Sequence, residues 1–354
     1  MRYFWIFVVV TFVLLPLALR ANDSSQPVTM VNVHSLGPER VGNLPPVLVP
    51  ADNPQTPAKI LLGKQLYYDT RLSKDNTVSC ASCHNPAMGC ADAGPTSTGI
   101  NNQRGGRRAP PVSNAAHSPL QFWDGRAANL EEQAKGPIQN PVEMGNTHEL
   151  MIRTLNDVPG YVEEFKAVFG NSPITVDQVA QAIAAYERTI VTSDSPFDRF
   201  IKGDQTALTP LEKKGLEVFN GKGHCSACHF GGNFSDGRFH NIGVKQYNTS
   251  KPDNGRYVIA KNEKDMGAFK TPTVRDASLR APYLHDGSES NIASLVAFYN
   301  RGGDNGKNID AMIVPLNLSR SEVKALIAFM NHAMVSTNPS VADEKPIPPD
   351  ELPK

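Results

Sequence analysis

The chain has 354 residues, of which 40% are hydrophobic and 20% are charged, and its 35 lysines and arginines balance its 35 aspartates and glutamates. A chain of this length can form two domains that each bury a core. Because there is no basic excess to neutralise phosphates, the composition argues against a nucleic-acid partner.

The N-terminus has the pattern of an export signal. Met1 and Arg2 precede an uncharged apolar run over residues 3–19, and Ala21 follows as a small residue at which cleavage can occur. We predict a signal peptide over residues 1–21 and a periplasmic location for the rest. The alternative is an uncleaved membrane anchor, because a run of this length is at the lower limit for a membrane span.

Proline-rich segments flank the part of the chain that has helical periodicity. Residues 22–58 predict an extended arm, and residues 336–354 predict a disordered tail. The residues between them show few strand signals, which predicts an all-α protein with long loops. Turn-rich stretches near residue 200 divide this part into two predicted domains, residues 59–200 and 201–335.

The two predicted domains share a weak internal repeat. Each ends in a predicted amphipathic helix, from Val176 to Ile190 and from Ser321 to Met334, and the second helix is capped by Ser319 or Ser321. The repeat is most apparent in a helical segment that leads to a Cys-x-x-Cys-His motif. The segments are Gly63-x-x-Leu66-Tyr67 before Cys80–His84, and Gly215-x-x-Val218-Phe219 before Cys225–His229.

Cys-x-x-Cys-His is the attachment signature of c-type haem. Two thiols bond one edge of the porphyrin, and the adjacent histidine becomes an axial ligand of the iron. A zinc site or a redox dithiol would suit one such motif, but two motifs after repeated helices in an exported chain favour haem. The remaining cysteine, Cys90, we interpret as a small buried thiol rather than a partner in an intermolecular disulfide. We predict two covalently bound haem c groups, one held by Cys80, Cys83 and His84 and the other by Cys225, Cys228 and His229.

Two haems suit either an electron carrier or an enzyme. A carrier fills the sixth coordination position of both irons, whereas an enzyme leaves one position open for its substrate. The residues that surround the two motifs therefore decide the function.

Four ordered strings are more specific than either haem motif, and through them the chain resembles the bacterial dihaem cytochrome c peroxidase and MauG family over roughly residues 57–333. The resemblance implies two cytochrome c-like domains with one covalent haem c each. Residues 59–200 would carry the peroxidatic haem and residues 201–335 the electron-transfer haem. The strings are Phe122-Trp123-Asp124-Gly125-Arg126, Leu130 to Met144, Phe269 to Arg275, and Ala281 to Gly287.

By this resemblance, His84 is the proximal ligand of the peroxidatic haem, Gln133 and Glu143 line its distal side, and Pro137 shapes the pocket. A carboxylate can take the proton of bound peroxide and return it to the departing oxygen, while an amide can orient the peroxide. The alternative is that both are solvated helix or loop residues. Trp123 matches the tryptophan that the family places between the haems as an electron relay, although a tryptophan can also pack in a core.

Many dihaem peroxidases of the family block the peroxidatic iron at rest with a histidine 16 residues after the proximal one, and this position is Ile100 here. Isoleucine cannot ligate iron, so the resemblance implies an iron that is open without prior reduction. His117 is a conceivable substitute ligand, but it lies beyond the family's loop.

The distal ligand of the second haem is a methionine in the peroxidases and a tyrosine in MauG-like enzymes, and Tyr299 stands at this position. A thioether favours ferrous iron, whereas a hard phenolate favours higher oxidation states. We therefore predict His84, His229 and Tyr299 as the iron ligands of the protein. Met266 and Met312 are rival ligands for the second iron.

The family often holds a calcium ion between the domains, through an asparagine side chain and backbone carbonyls. The matching positions are Arg108 for the side chain, and Arg280 and Pro282 for the carbonyls. An arginine cannot ligate a cation, so calcium is doubtful and the guanidinium is expected in its place. His285 fits a structural residue near the second haem better than an iron ligand.

The predicted function is that of an exported dihaem oxidoreductase that reduces hydrogen peroxide at the first haem and draws electrons through the second, closer to MauG than to peroxidases with a methionine ligand. The electrons would come from a redox protein or from an oxidisable tryptophan or tyrosine of a partner protein. One alternative is ordinary cytochrome c peroxidase activity with a small cytochrome or cupredoxin as donor. Another is a non-catalytic dihaem electron carrier, against which Ile100 argues. A membrane is a partner only if the N-terminal segment stays uncleaved.

Overall fold

The computed structural model of the protein describes residues 41–245, 252–304, 306–337 and 347–354. The predicted signal peptide and the first part of the predicted arm lie outside these residues. Within the described ranges, no helix is long and apolar enough to span a membrane.

Helices and loops make up most of the described chain, as the periodicity predicts. The named strands in the described ranges form one short antiparallel pair, β1 (Phe239–His240) and β2 (Phe269–Lys270), in which Phe239 lies opposite Lys270. The last helix continues as a turn of π-helix, Phe329–Ala333. The α-helices are α1 (Pro57–Tyr68), α2 (Cys80–Cys83), α3 (Leu130–Gln139), α4 (His148–Asn156), α5 (Pro159–Phe169), α6 (Val176–Glu187), α7 (Pro196–Ile201), α8 (Pro210–Asn220), α9 (Tyr257–Ala260), α10 (Ile292–Asn300) and α11 (Arg320–Ala328).

The helices predicted from periodicity are present, and local capping explains where they begin. α1 begins at Pro57 because the Thr56 side chain accepts a hydrogen bond from the first turn. α6 begins after Thr175, which forms a capping box with Gln178. α11 begins after Ser319, the first of the two predicted caps.

The described chain has two hydrophobic cores, one around α1 and α6 and the other around α8 and α11. In both, the two helices cross at a glycine of the repeated segment. A Cβ added to Gly63 would lie 1.8 Å from the carbonyl oxygen of Ala182, and one added to Gly215 would lie 2.1 Å from that of Ala325. The predicted repeat is therefore present in the packing, because only glycine permits this close crossing. Cys90 is buried in the first core, as interpreted from the sequence.

The change from the first core to the second occurs before the predicted domain boundary at residue 200. That boundary assigns α7 to the first domain, yet Phe197 is buried in the second core. Asp198 of the same helix forms two 2.8 Å hydrogen bonds with Arg275, a buried ion pair that ties α7 to the second half. The residues that the structure describes all fall in one compact unit, so the two separate domains stay a prediction.

A second repeat, which the sequence analysis did not recognise, links the two halves. The loops 121–127 and 283–289 are each closed by an antiparallel bridge between their end residues. Each loop leads to an asparagine that caps a helix, α3 in the first half and α10 in the second. The two loops have the same backbone conformation, because matching positions have similar positive φ angles. The angles are +67° at Phe122 and +71° at Leu284 for one pair of positions, and +67° at Gly125 and +68° at Gly287 for the other.

Both ends of the described chain pack against the rest of it. Val41 of the arm is buried in the second core. At the other end, Ile347 packs against the first core, and the carbonyl oxygen of Lys354 accepts a 2.8 Å hydrogen bond from the amide of Gly160 in α5. These contacts involve residues 347–354 of the segment predicted to be a disordered tail, and the disorder itself stays a prediction.

Candidate functional site

The first Cys-x-x-Cys-His motif lies on the wall of a cavity of about 560 Å³ in the first half. The single turn of α2 places Cys80 and Cys83 on one face, because they are three residues apart. His84 follows directly, and the Tyr67 hydroxyl donates a 3.2 Å hydrogen bond to its carbonyl oxygen. Burial lowers the pKa of His84, which keeps the imidazole neutral, the form that binds a metal ion.

The second motif lies on the wall of a smaller cavity, of about 190 Å³, in the second half. The His229 ring is held by its own chain, since Nδ1 lies 2.9 Å from the carbonyl oxygen of Phe234. A carbonyl oxygen only accepts, so Nδ1 carries the proton and Nε2 keeps its lone pair for a metal ion. Of the three candidates for the distal ligand, Tyr299 and Met312 lie on the wall of this cavity and Met266 does not.

The two donor sets fit a porphyrin bonded through two thiols better than a zinc ion. Burial raises the pKa of Cys83 to about 11 and that of Cys225 to about 12, because an apolar environment disfavours the thiolate. A structural zinc site needs four ligands. Among the described residues, the one group of three or more candidate metal ligands is Cys228, Asp236 and His240.

Three residues predicted for the peroxidatic pocket, Gln133, Pro137 and Glu143, lie on the wall of the first cavity. Gln133 and Pro137 are four residues apart on α3 and therefore share a helix face. Glu143 follows α3 in a turn around Asn140, whose side-chain amide donates a 2.8 Å hydrogen bond to Glu143 Oε1. Asn140 Oδ1 accepts a 3.1 Å bond from the Val142 amide, so one side chain holds both the turn and the carboxylate.

The electrostatic surroundings of Glu143 combine burial with positive charge. Burial raises the pKa of the Glu143 carboxyl, whereas the Arg126 guanidinium and the Asn140 amide act in the opposite direction because they favour the carboxylate. Arg126 is itself held over the Phe122 ring, 3.4 Å from its centroid, and pairs with Asp124 at 3.1 Å. A raised pKa suits a group that takes up a proton and releases it again near neutral pH.

A chain of ion pairs reaches the first cavity from the second half, and the sequence analysis did not predict it. Asp124, which is 4% exposed, binds Arg126 and also Arg107 at 2.7 Å. Arg107 in turn forms two hydrogen bonds with Asp253, of 2.5 and 2.8 Å. All four side chains line the cavity. Asp124 and Arg126 belong to a string quoted for the resemblance, but only the fold brings Asp253 to Arg107.

The second repeat gives Pro137 and Tyr299 equivalent positions. Pro137 lies seven residues after Leu130, the first residue of α3, and Tyr299 lies seven residues after Ile292, the first residue of α10. Each lies on the wall of the cavity in its own half. A tyrosine has a phenol oxygen that can bind iron, whereas proline has no side-chain donor atom. The same position is thus a candidate ligand in one half and is open in the other.

Neither Ile100, at the position of the family's blocking histidine, nor His117, the conceivable substitute, contributes to the wall of the first cavity. Ile100 is 4% exposed and packs in the first core, where a Cβ added to Gly145 would meet its side chain at 2.2 Å. The Ile100 amide donates a 2.8 Å hydrogen bond to the Glu143 carbonyl, which fixes this loop beside the cavity. His117 is absent from the wall residues of both cavities. Gln133 and Glu143, by contrast, both lie on the wall of the first cavity.

Trp123 contributes to the walls of both cavities. Its indole Nε1 donates a 2.8 Å hydrogen bond to the Arg108 carbonyl, and its ring meets the ring of His285 edge to face at 6.5 Å. His285 is the residue that corresponds to Trp123 in the repeated loop, and it is buried and stacked on Phe269 at 3.7 Å. Trp123 and its neighbour His285 therefore lie where the walls of the two cavities adjoin.

The position implied for calcium holds the Arg108 guanidinium, which does not fit a calcium ion. The resemblance implied the carbonyls of Arg280 and Pro282 at this place. The guanidinium instead binds the carbonyl of Ala281, the residue between them. The guanidinium donates hydrogen bonds to the backbone carbonyls of Asp92, Gly94 and Ala281.

Comparison with known proteins gives a consistent result. Residues 57–206 match a family model described as di-haem cytochrome c peroxidase. The chain is 37% identical over 339 residues to cytochrome-c peroxidase IdrP1 of Pseudomonas sp. (strain SCT), covering 88% of this chain and 89% of that protein. It is 37% identical over 311 residues to the methylamine utilization protein MauG of Methylorubrum extorquens, covering 88% and 86%. It is 41% identical over 286 residues to cytochrome c551 peroxidase of Pseudomonas aeruginosa, covering 79% of each.

Solved structures show the same likeness. A MauG-like protein associated with microbial copper homeostasis superposes with a TM-score of 0.79 at 27% identity, covering 85% of this chain and 97% of that one. The diheme peroxidase BthA from Burkholderia thailandensis superposes with a TM-score of 0.72 at 22% identity, covering 89% and 94%, which supports the fold alone.

Proposed function

Because the chain belongs to the di-haem cytochrome c peroxidase family and is therefore a peroxide-dependent dihaem oxidoreductase, we propose that it reduces hydrogen peroxide in the first cavity and draws electrons through the second, in the manner of MauG. The observation that carries this proposal is the pair of equivalent positions, with Pro137 facing one cavity and Tyr299 facing the other. The position equivalent to Tyr299 would then offer no ligand to a haem iron in the first cavity, whereas Tyr299 would supply a phenol oxygen in the second.

The paired thiols and the histidine of each motif would hold one covalent haem c. A haem in each cavity supplies an iron that exchanges electrons and that accepts a further ligand where its sixth position is open. His84 and His229 are the proposed ligands on the attachment side. Tyr299 is the proposed distal ligand in the second cavity.

Glu143 is the proposed acid–base group. Its carboxylate takes a proton from hydrogen peroxide and returns it to the oxygen that departs as water. Asn140 holds one carboxylate oxygen, and Gln133 on the neighbouring helix face orients the peroxide through its amide. Arg126 supports the charged form of Glu143 and so keeps it able to accept a proton.

Trp123 is the proposed relay between the two cavities. An indole is among the side chains that can give up one electron, and this one contributes to both cavity walls. Its hydrogen bond to the Arg108 carbonyl fixes the ring at this place. Electrons that enter in the second half can therefore reach the first cavity through a single aromatic side chain.

A second candidate function is ordinary cytochrome c peroxidase activity, with a small cytochrome or cupredoxin as electron donor. Met312 favours it, because this thioether lies on the wall of the second cavity together with Tyr299. A thioether ligand would raise the reduction potential of the iron and suit a donor of positive potential.

The proposed partners follow from this chemistry. Hydrogen peroxide is the oxidant, and the reductant is a redox protein or an oxidisable tryptophan or tyrosine of another protein. We propose the periplasm as the site of action, which the predicted signal peptide and the proposed haem c groups support.

Electron paramagnetic resonance of the ferric protein, before and after one equivalent of peroxide, tests the proposal. We expect a high-spin signal from the first iron, a low-spin signal from the second, and a reaction with peroxide without prior reduction. A resting spectrum that is entirely low-spin, with activity only after half-reduction, would contradict the open first iron and exclude the MauG-like assignment.

A further inference from the structure

The guanidinium of Arg108 is buried among backbone carbonyls. The residue is 5% exposed, and each hydrogen bond of its side chain goes to a backbone carbonyl, that of Asp92, Gly94 or Ala281. The Asp92 carboxylate is engaged elsewhere, since Oδ1 accepts a 2.7 Å bond from the Gly94 amide. The guanidinium therefore hydrogen-bonds to backbone carbonyls rather than to a carboxylate, although the negative charge of Asp92 is near enough to favour it. We name the three carbonyls and the guanidinium the carbonyl cage.

Such a set of oxygens is typical of a site for a hard cation. Calcium is bound in proteins by carboxylate, carbonyl and water oxygens. A guanidinium carries the same sign of charge, offers five donors, and stays protonated at physiological pH. Removing it would leave buried carbonyl oxygens without a partner, which is costly in a protein interior.

The carbonyl cage joins the two halves at the point where the cavities meet. Asp92 and Gly94 follow the first haem motif, whereas Ala281 lies in the second half. The backbone of Arg108 adds two more links, because its amide donates a 2.8 Å bond to the His285 carbonyl and its own carbonyl accepts the 2.8 Å bond from Trp123. The backbone of Arg108 is therefore hydrogen-bonded to both Trp123 and His285, the aromatic pair between the cavities.

We propose that Arg108 is the resident cation of this junction, so that the protein joins its two halves without a divalent metal ion. The inference does not rest on the proposed function, because it concerns stability and metal binding rather than turnover. Its consequence is that chelators leave the contact between the halves intact.

Thermal unfolding of the haem-loaded protein tests this, in buffer freed of divalent ions, with EGTA, and with about 1 mM calcium chloride. The wild type should unfold at the same temperature in all three to within about 1 °C. Arg108→Asn replaces the charge by an amide oxygen beside the three carbonyls. This variant should unfold at a lower temperature in EGTA and regain about 3 °C or more with calcium.

Arg108→Met is the matched control, because it keeps the length of the side chain without charge or oxygen. It should be destabilised and should not respond to calcium. Equilibrium dialysis of the wild type against calcium is an independent measurement that needs no variant, and it should show no ion retained at the junction. A wild type that retains calcium or loses stability in EGTA would overturn the proposal. So would an Arg108→Met variant as stable as the wild type together with an Arg108→Asn variant that is indifferent to calcium.

Discussion

The two cavities are alike on the side of the haem motif and differ on the opposite side. In both, the motif follows a helix that crosses its partner at a glycine, Gly63 or Gly215. Opposite the motif, the first cavity, of about 560 Å³, has polar side chains beside Pro137. The second, of about 190 Å³, has Tyr299 and Met312.

Because of this difference, the residues that hold a cofactor are distinct from the residues that would set its reactivity. The repeated segment positions the thiols and the histidine in both halves, so that part of the site is alike in the two cavities. The position seven residues into α3 and α10 differs, and a proline there leaves space where a tyrosine supplies an oxygen. A chain with two nearly equal attachment sites can thereby have one reactive centre and one electron-transfer centre.

Removing the attachment residues of one half is expected to have the largest effect. Replacing both Cys225 and Cys228 by alanine should remove the second haem alone, lowering the mass of the denatured protein by about 0.6 kDa. The reason is that each motif lies in a separate core. Mass spectrometry and the absorbance per chain measure this, and loss of both haems would show that the halves do not load independently.

Replacing the acid–base group should have the next largest effect. Glu143→Gln keeps the size of the side chain but removes the proton acceptor, so peroxide cleavage should slow by roughly 10²–10⁴-fold while the haem spectra stay nearly unchanged. Stopped-flow mixing with peroxide measures the rate. The matched control is Glu132→Gln on the exposed face of α3, where the side chain is 54% exposed, and an unaltered rate in Glu143→Gln would show that this carboxylate is not the catalytic one.

A tyrosine at both equivalent positions should give the first cavity the same candidate ligand as the second. Pro137→Tyr places a phenol in the first cavity where Tyr299 stands in the second, so the high-spin signal should disappear. Apparent peroxide affinity should fall on the order of 100-fold, because an occupied sixth position leaves a small reactive fraction. Pro137→Ala is the control that stays open. A Pro137→Tyr variant that remains high-spin and reactive would show that the positions are not equivalent with respect to iron.

The reverse test concerns the second cavity. Tyr299→Met should raise the potential of the second haem by about 100 mV or more, because the softer thioether prefers ferrous iron. Redox titration measures the shift, and Met312→Leu should leave it at the wild-type value. If Met312→Leu changes the potential and Tyr299→Met does not, Met312 is the ligand and the ordinary peroxidase is the better assignment.

The smallest effect is expected from the side chain that holds the catalytic carboxylate. Asn140→Ala removes a hydrogen bond to the charged form of Glu143, so the pKa of Glu143, already raised by burial, should rise further. Glu143 accepts a proton only when ionised. The acid limb of the pH–rate profile should therefore move to higher pH, with little change on the alkaline side. A lower rate with an unshifted profile would assign Asn140 a purely structural role.

Local chemistry explains what could be predicted from the sequence about this protein. Covalent attachment requires two thiols and a histidine at a set spacing, so both motifs, Cys80 to His84 and Cys225 to His229, can be recognised from the sequence. The helical class could be predicted for a similar reason, since the periodic apolar residues of α6 and α11 pack in the two cores. The resemblance added Gln133, Pro137 and Glu143, and these three do share one cavity wall.

Only the tertiary structure showed the contacts between residues that are distant in the chain. Arg107 meets Asp253 across 146 positions, and Arg108 meets Ala281 across 173. From the sequence, charged residues such as Arg107, Arg108 and Asp253 are expected at the surface. Their spacing gives no sign of which residues they contact. The equivalence of Pro137 and Tyr299 was hidden for another reason: the repeated loops share backbone angles rather than side chains. Periodicity and motifs record local bonding, whereas burial of a charge or the course of a loop depends on the whole packed chain.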